Sequence, residues 1–173
     1  MAASKDTGPH RVFMNETSIY MYSHPVNVLL VEEDCADAQR TIRELKRLHL
    51  ANSLIHVKDG DEALDFLFST GRFAGTEKKR SLPNIILLDI QMPEMRSLEV
   101  LKKIKEDGRT SGTHVILLTP SGEHPDLHDC FELGAISYIV KPLNFERFAQ
   151  AIHGPGLFWL LLDKPPRQGH TGL

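Results

Sequence analysis

The chain of 173 residues lacks several features that would place it in a special class of protein. Its longest apolar runs are far too short to cross a bilayer, and its amino terminus, MAASKDTGPH, lacks the apolar core of a secretory signal. It has only two cysteines, Cys35 and Cys130, which cannot form a metal site alone and are expected to be reduced thiols. These absences favour a cytoplasmic protein with no membrane partner.

Charge of one sign is not in excess either. The 20 Lys and Arg residues against 23 Asp and Glu residues give a net charge of −3, so nucleic acid is not an expected partner. A hydrophobic content of 41% and a charged content of 25% are ordinary for a soluble globular protein. We therefore expect one domain with a sizeable core.

Short apolar runs alternate with helical patterns between residues 25 and 153, the predicted domain. After each run, apolar residues recur at every third or fourth position, which predicts a helix. Five strand–helix units in succession predict an α/β fold, a doubly wound five-stranded parallel sheet with helices on both faces. The predicted strands are 26–31, 54–57, 85–88, 115–118 and 136–140.

Two segments flank this domain. Residues 1–24 are polar without a sustained period, which predicts a flexible arm with a short ordered piece near residues 12–14. Residues 154–173 form a tail that opens with Gly-Pro-Gly and continues with the apolar stretch LFWLLL. The tail either folds back on its own core or forms a contact in a homodimer, and we favour the dimer contact.

Polar residues follow all five predicted strands, and only those after the second, Lys58 and Asp59, have the plain character of loop and cap residues. Ligands of open parallel sheets bind beyond the carboxyl ends of the strands, so these residues are expected to share one edge. Each alone has an ordinary explanation as a helix cap, a turn residue or a solvated side chain. The others are Glu32, Glu33 and Asp34 after the first strand, Asp89 after the third, Thr119 after the fourth and Lys141 after the fifth.

The position of Asp89 needs a chemical explanation, because a carboxylate at the end of a buried strand is costly to desolvate unless a positive charge compensates it. Clustered carboxylates suit a hard divalent cation such as Mg²⁺. Such a cation and Lys141 could together neutralise Asp89. A carboxylate beside a metal, an ammonium and the Thr119 hydroxyl is equipped for phosphoryl transfer by in-line attack.

Over residues 26–152 the sequence resembles the bacterial response-regulator receiver domains, the CheY-like family. The matching motifs are VLLVEED, DGDEALDFL, ILLDIQMPEMRSLEVLKKIK, VILLT and LGAISYIVKPLNFERF. The resemblance implies a flavodoxin-like sheet with strand order 2-1-3-4-5. The long loop before Leu82-Pro83 and the FWLLL tail further resemble stand-alone regulators that partner phytochrome-type histidine kinases.

The resemblance implies a role for each strand-end residue. Asp89 would accept a phosphoryl group from a sensor histidine kinase. Glu32, Glu33 and Asp89, with the backbone carbonyl of Gln91, would hold Mg²⁺. The protein would then be a phosphoacceptor in a two-component phosphorelay and not an enzyme with a separate substrate.

The same resemblance implies how the signal leaves the site. Thr119 and Lys141 would contact the phosphoryl group, with a cis peptide bond between Lys141 and Pro142. Tyr138 matches the aromatic switch that swings inward when Thr119 moves. Output would be a conformational change read by a downstream protein target.

Departures from the family pattern leave other functions open. Glu33 replaces the more usual Asp, Arg96-Ser97 stands where Asp-Gly is common, and Pro120 could stiffen the residue before it. These departures motivate a second hypothesis, a pseudo-receiver that binds partners without phosphorylation. A third, a metal-dependent phosphohydrolase, is disfavoured because Gln91 stands where such enzymes have a second Asp.

Overall fold

The computed structural model describes residues 10–14, 17–21, 27–47, 53–76, 81–92, 97–144, 146–147 and 151. Its strands are β1 His10–Met14, β2 Thr17–Met21, β3 Asn27–Val31, β4 Ser53–Val57, β5 Ile85–Asp89, β6 His114–Thr119 and β7 Ser137–Val140. Its α-helices are α1 Cys35–Arg47, α2 Gly60–Phe68, α3 Ser97–Glu106 and α4 Leu127–Glu132. None of these helices is long and apolar enough to cross a membrane.

Strands β3 to β7 form one parallel sheet in the order β4-β3-β5-β6-β7. If the five strands of this sheet are numbered 1 to 5 along the chain, their order in the sheet is 2-1-3-4-5. The predicted strand order is therefore confirmed. The central strand β5 is buried along its whole length, as its unbroken run of apolar residues predicts. Asp89 ends this strand, so the fold places its carboxylate at the carboxyl edge of the sheet.

Apolar side chains pack against both faces of the sheet. Alternate residues of a strand point to opposite faces, so Leu29 and Leu30 belong to separate buried clusters. One cluster includes residues of α2, α3 and α4, and the other includes residues of α1. Each fully buried Leu or Ile contributes roughly 2 kcal/mol of transfer free energy, which fixes the sheet between its helices.

Two predicted helix caps are present. The Asp59 carboxylate accepts a hydrogen bond of 2.8 Å from the backbone N–H of Glu62 at the start of α2. The Asn144 side chain accepts one of 2.9 Å from the N–H of Arg147, where the last predicted helix begins. Most of that helix, and the whole tail 154–173 with its predicted dimer contact, lie outside the described residues.

Strands β1 and β2 pair as an antiparallel hairpin inside the segment predicted as a flexible arm. The hairpin is longer than the ordered piece predicted near residues 12–14. The other residues of the segment 1–24 lie outside the described ranges.

Candidate functional site

A cleft of about 480 Å³ opens at the carboxyl edge of the sheet. Five acidic side chains and one lysine line it, so negative charge dominates. The structure thus brings together the acids and the lysine that the strand ends predicted. The lining residues are Glu32, Glu33, Asp34, Cys35, Asp37, Asp89, Gln91 and Lys141.

Asp89 lies at the base of this cleft and is only 3% exposed. Its Oδ1 accepts a hydrogen bond of 3.0 Å from the backbone N–H of Gln91, and its Oδ2 is 3.4 Å from Nζ of Lys141. The buried hydroxyl of Ser97 donates a bond of 2.6 Å to the backbone carbonyl of Asp89. Ser97, which departs from the family pattern, therefore connects the start of α3 to this strand end. Its neighbour Arg96 lies outside the described residues.

The Lys141 ammonium is the centre of the charged cluster. Its Nζ is 3.1 Å from Oε2 of Glu32, 3.1 Å from Oδ2 of Asp37 and 3.4 Å from Oδ2 of Asp89. Burial opposes its charge, but Asp89, Asp37 and Glu32 together hold the pKa of Lys141 above its usual value. The peptide bond from Lys141 to Pro142 is cis, as the resemblance implies.

Glu32 is completely buried beside Asp89. Its Oε1 accepts a hydrogen bond of 3.0 Å from the backbone N–H of Asp34. Burial, and then the negative charge of Asp89, raise the pKa of Glu32 to about 7, which the bond to Lys141 only partly offsets. Burial and the neighbouring carboxylate thus outweigh Lys141 and disfavour the ionised form of Glu32.

The donor chemistry of the cleft fits Mg²⁺. Carboxylate oxygens of Glu32 and Asp89 and the carbonyl of Gln91 are the hard ligands that this ion prefers. Within the described ranges, no three His, Cys, Asp or Glu side chains are arranged to hold a metal, and Glu33 is exposed. Mg²⁺ commonly takes only one or two carboxylates and completes its shell with water and phosphate oxygens, so the fit does not require a full cage.

Thr119 lies at the end of β6 and is fully buried. Its hydroxyl donates a hydrogen bond of 2.7 Å to the backbone carbonyl of Ser121, and its own carbonyl accepts one of 2.8 Å from the N–H of Lys141. Among the described residues, no hydrogen bond joins this hydroxyl to Asp89. The predicted phosphoryl contact of Thr119 would thus need its hydroxyl to change partner.

Tyr138 lies on the outer side of β7 and is 39% exposed. Its ring packs edge-on against Phe131 of α4, with 6.2 Å between ring centroids. A Cβ atom placed on Gly122 would lie 3.1 Å from the Tyr138 hydroxyl, so the loop after Thr119 also borders this ring. The structure therefore has the predicted switch residue in an outward position, next to the segment that would move it.

Asp37 contacts Lys141 although the strand-end pattern does not predict it. Asp34 caps α1, because its Oδ1 accepts hydrogen bonds from the backbone N–H groups of Ala36 and Asp37 at 2.9 and 2.8 Å. This cap starts the helix beside the cleft, so an acid in the first turn faces the lysine. The sequence feature that indicates this contact is the position of Asp37, about one helical turn after the acidic residues Glu32, Glu33 and Asp34.

A model of the response regulator receiver domain matches residues 28–153. The chain belongs to the response regulator receiver family. Receiver domains are phosphorylated by histidine kinases and bind Mg²⁺ or Mn²⁺ at the phosphorylation site. The predicted fold and the predicted family are therefore both confirmed.

Phytochrome response regulators are among the homologues of this receiver domain. The structure of the bacteriophytochrome response regulator AtBRR is 36% identical, with a TM-score of 0.70 covering 82% of this chain and 99% of that chain. The probable methanogenesis regulatory protein FilR2 of Methanothrix harundinacea is 33% identical over 82% of this chain and 88% of that protein. The response regulator Rcp1 of Synechocystis is 32% identical over 79% and 90%, respectively. A Mn²⁺-bound structure of Rcp1 matches with a TM-score of 0.57 and 28% identity, covering 79% of this chain and 89% of that chain.

Proposed function

We propose that this receiver domain is the phosphoacceptor of a two-component phosphorelay, taking a phosphoryl group on Asp89 from a histidine kinase of the phytochrome type. The observation that carries the proposal is the Asp89 carboxylate at the base of an open cleft, 3.4 Å from the Lys141 ammonium. The likeness to AtBRR, a bacteriophytochrome response regulator, supports the type of kinase.

The proposed transfer uses this geometry. A carboxylate oxygen of Asp89 attacks the phosphorus of the kinase phosphohistidine, so an O–P bond forms as the P–N bond breaks. The imidazole nitrogen leaves with the bonding electrons and takes up a proton. Lys141 balances negative charge on the phosphoryl oxygens, and the bond from the N–H of Gln91 orients the attacking carboxylate.

Asp89 and the carbonyl of Gln91 would hold Mg²⁺, with Glu32 and Glu33 acting on it directly or through bound water. When bound, the ion supplies positive charge to the phosphoryl group and to the acidic cluster. The solved Mn²⁺-bound form of Rcp1 supports the binding of a divalent metal at this site.

Phosphorylation would bias a two-state surface around α4 and β7. The new phosphoryl oxygens are stronger acceptors than the Ser121 carbonyl, so the Thr119 hydroxyl would turn to them. Tyr138 would then leave Phe131 and move inward, which changes the exposed surface of both elements. A downstream protein that binds one state better than the other reads the change.

Incubation with acetyl phosphate and Mg²⁺, followed by a phosphate-affinity gel, tests this proposal. We expect a retarded band for the wild type, no such band for Asp89→Asn, and no such band when EDTA removes the metal. Absence of the band from a folded wild type, or its survival in Asp89→Asn, would overturn the proposal.

One observation favours a pseudo-receiver as the second candidate. Lys141 already has three carboxylate partners and Glu33 is exposed, so part of the cluster is neutralised by the chain itself. This candidate predicts partner binding that is equal for wild type and Asp89→Asn. A pull-down with a phytochrome-type kinase, run on both variants after incubation with acetyl phosphate and Mg²⁺, separates the two functions, because only a phosphoacceptor should then bind differently from Asp89→Asn.

A further inference from the structure

Lys141 is shared between the phosphoacceptor and the first turn of α1. Its Nζ lies as close to Oδ2 of Asp37 as to Oε2 of Glu32, 3.1 Å in both cases, and closer to either than to Asp89, at 3.4 Å. An ammonium has three N–H groups. These three carboxylates are therefore enough to occupy every donor that Lys141 has.

A phosphoryl group on Asp89 would need at least one of those donors. Of the three carboxylates, Asp37 can release Lys141 most easily, because its side chain is 29% exposed while those of Glu32 and Asp89 are 1% and 4% exposed. Water can solvate a freed Asp37, whereas a freed buried carboxylate would bear its full desolvation cost. Arg40, whose guanidinium is 3.7 Å from Oδ1 of Asp37, supplies a second partner for the freed acid.

We propose that Asp37 is a positioning residue that competes with the phosphoryl group for Lys141 and thereby slows phosphorylation of Asp89. The inference rests on the proposed phosphoacceptor function and adds a control on its rate. Two effects of the Asp37 carboxylate act in the same direction. It holds the ammonium away from Asp89, and its charge at the cleft repels the incoming anionic donor.

The test compares Asp37→Asn, which keeps shape and removes charge, with Glu44→Gln. Glu44 lies on the same helix and pairs with Arg47 at 2.9 Å, so this control removes an equal charge without touching Lys141. Phosphorylation of the full chain by acetyl phosphate is timed at saturating Mg²⁺, which removes differences in metal affinity. We expect Asp37→Asn to react about two- to fivefold faster, the factor for losing one partly exposed ion pair, and Glu44→Gln to match the wild type.

A second measurement reports the contact itself. Nitrogen-15 spectra of lysine ammonium groups show Lys141 as a signal that is lost in Lys141→Arg. In Asp37→Asn this signal should shift and its protons should exchange faster with water, while Glu44→Gln should leave it in place. A role of Asp37 in helix stability alone would not move this signal, and Asp37→Ser provides a second variant if the asparagine variant folds poorly.

The outcomes separate this inference from the proposed function. An unchanged Lys141 signal in Asp37→Asn, or a shifted signal with an unaltered or slower rate, overturns the competition while the wild type still takes a phosphoryl group. A folded wild type that takes none overturns the phosphoacceptor function, and the competition falls with it.

Discussion

The two ends of the parallel sheet hold their polar groups in different ways. At the amino end, the side chain of Asn84 accepts a hydrogen bond of 2.9 Å from the N–H of Asn27, and its backbone N–H donates one of 2.9 Å to the Asn27 carbonyl. The carbonyl of Asn84 accepts another of 3.1 Å from the N–H of His114. These partners are neutral, whereas the carboxyl end gathers carboxylates around a single lysine.

Two partly buried lysines show what this difference does. Lys105, near the amino end, donates to the backbone carbonyls of Ser111 and Thr113 at 3.2 and 2.8 Å, and burial lowers its pKa. Lys141, at the carboxyl end, has three carboxylate partners, and its pKa is raised. Carbonyls tether an ammonium without compensating its charge, while carboxylates stabilise the charge itself.

The amino end therefore serves stability, and the carboxyl end holds an excess of negative charge that disfavours the folded state. The pKa of Glu32, raised first by burial and then by the charge of Asp89, is a sign of that cost. Such destabilised polar clusters are common where a protein must bind an ion or transfer a group. The comparison predicts that charge changes matter far more at one end of the sheet than at the other.

The largest effect is expected from Lys141→Met. Removing the ammonium leaves buried Glu32 and Asp89 without their cation, and breaking a buried ion pair costs about 3 kcal/mol in free energy of unfolding. Lys105→Met is the matched control, because it removes a partly buried ammonium whose partners are neutral, and it should cost about 1 kcal/mol. Urea unfolding followed by circular dichroism, near neutral pH without metal, measures both.

Equal losses in the two lysine variants would contradict the comparison. A smaller loss in Lys141→Met than in Lys105→Met would mean that water already compensates the carboxylates. Either result would show that three carboxylates stabilise the Lys141 ammonium no more than backbone carbonyls stabilise that of Lys105.

The second effect is a dependence of stability on pH through Glu32. Its pKa rises from 4.5 to about 7 in the folded state, so the folded protein binds more protons than the unfolded chain between these values. Stability of the metal-free wild type should therefore fall as pH rises through this window, by up to about 3 kcal/mol, and level off above it. Glu32→Gln cannot ionise and should lack this part of the decline.

Thermal melts of the wild type and of Glu32→Gln, in EDTA at pH values between the two pKa values of Glu32, measure the difference in their stability. Added Mg²⁺ above neutral pH should raise the melting temperature of the wild type more than that of Glu32→Gln, because the ion would compensate the Glu32 charge. A wild-type curve that runs parallel to that of Glu32→Gln would show that Glu32 has no raised pKa in the folded protein.

The fold was predictable because local patterns and topology agree. Buried strands such as β5 read as unbroken apolar runs, and the residue after each run marks one edge of a parallel sheet. Asp59 and Asn144 both form the predicted caps. The hairpin β1–β2 was predicted only as a short ordered piece, since isolated two-stranded pairing has a weak local signal.

The candidate site was predictable in its members and less so in their contacts. Glu32, Asp89 and Lys141 meet as the strand ends predicted, because the sheet fixes where each strand stops. The contact of Asp37 depends on how α1 leaves the cleft, and the bond of Ser97 on how α3 packs. Side-chain directions of this kind are set by tertiary packing, which a single sequence does not specify.

The smallest effect is expected at the amino end, where Asn84 can be changed without touching the cleft. Asn84→Ala removes the acceptor for the N–H of Asn27 and should cost about 1 kcal/mol in free energy of unfolding, the usual value of one hydrogen bond. Asn84→Asp keeps an acceptor oxygen, and its added charge lies in an exposed position, so its loss should be smaller. Both variants should be phosphorylated by acetyl phosphate at the wild-type rate. If either one changes that rate, the two ends of the sheet are coupled, and the neutral end contributes to function as well as to stability.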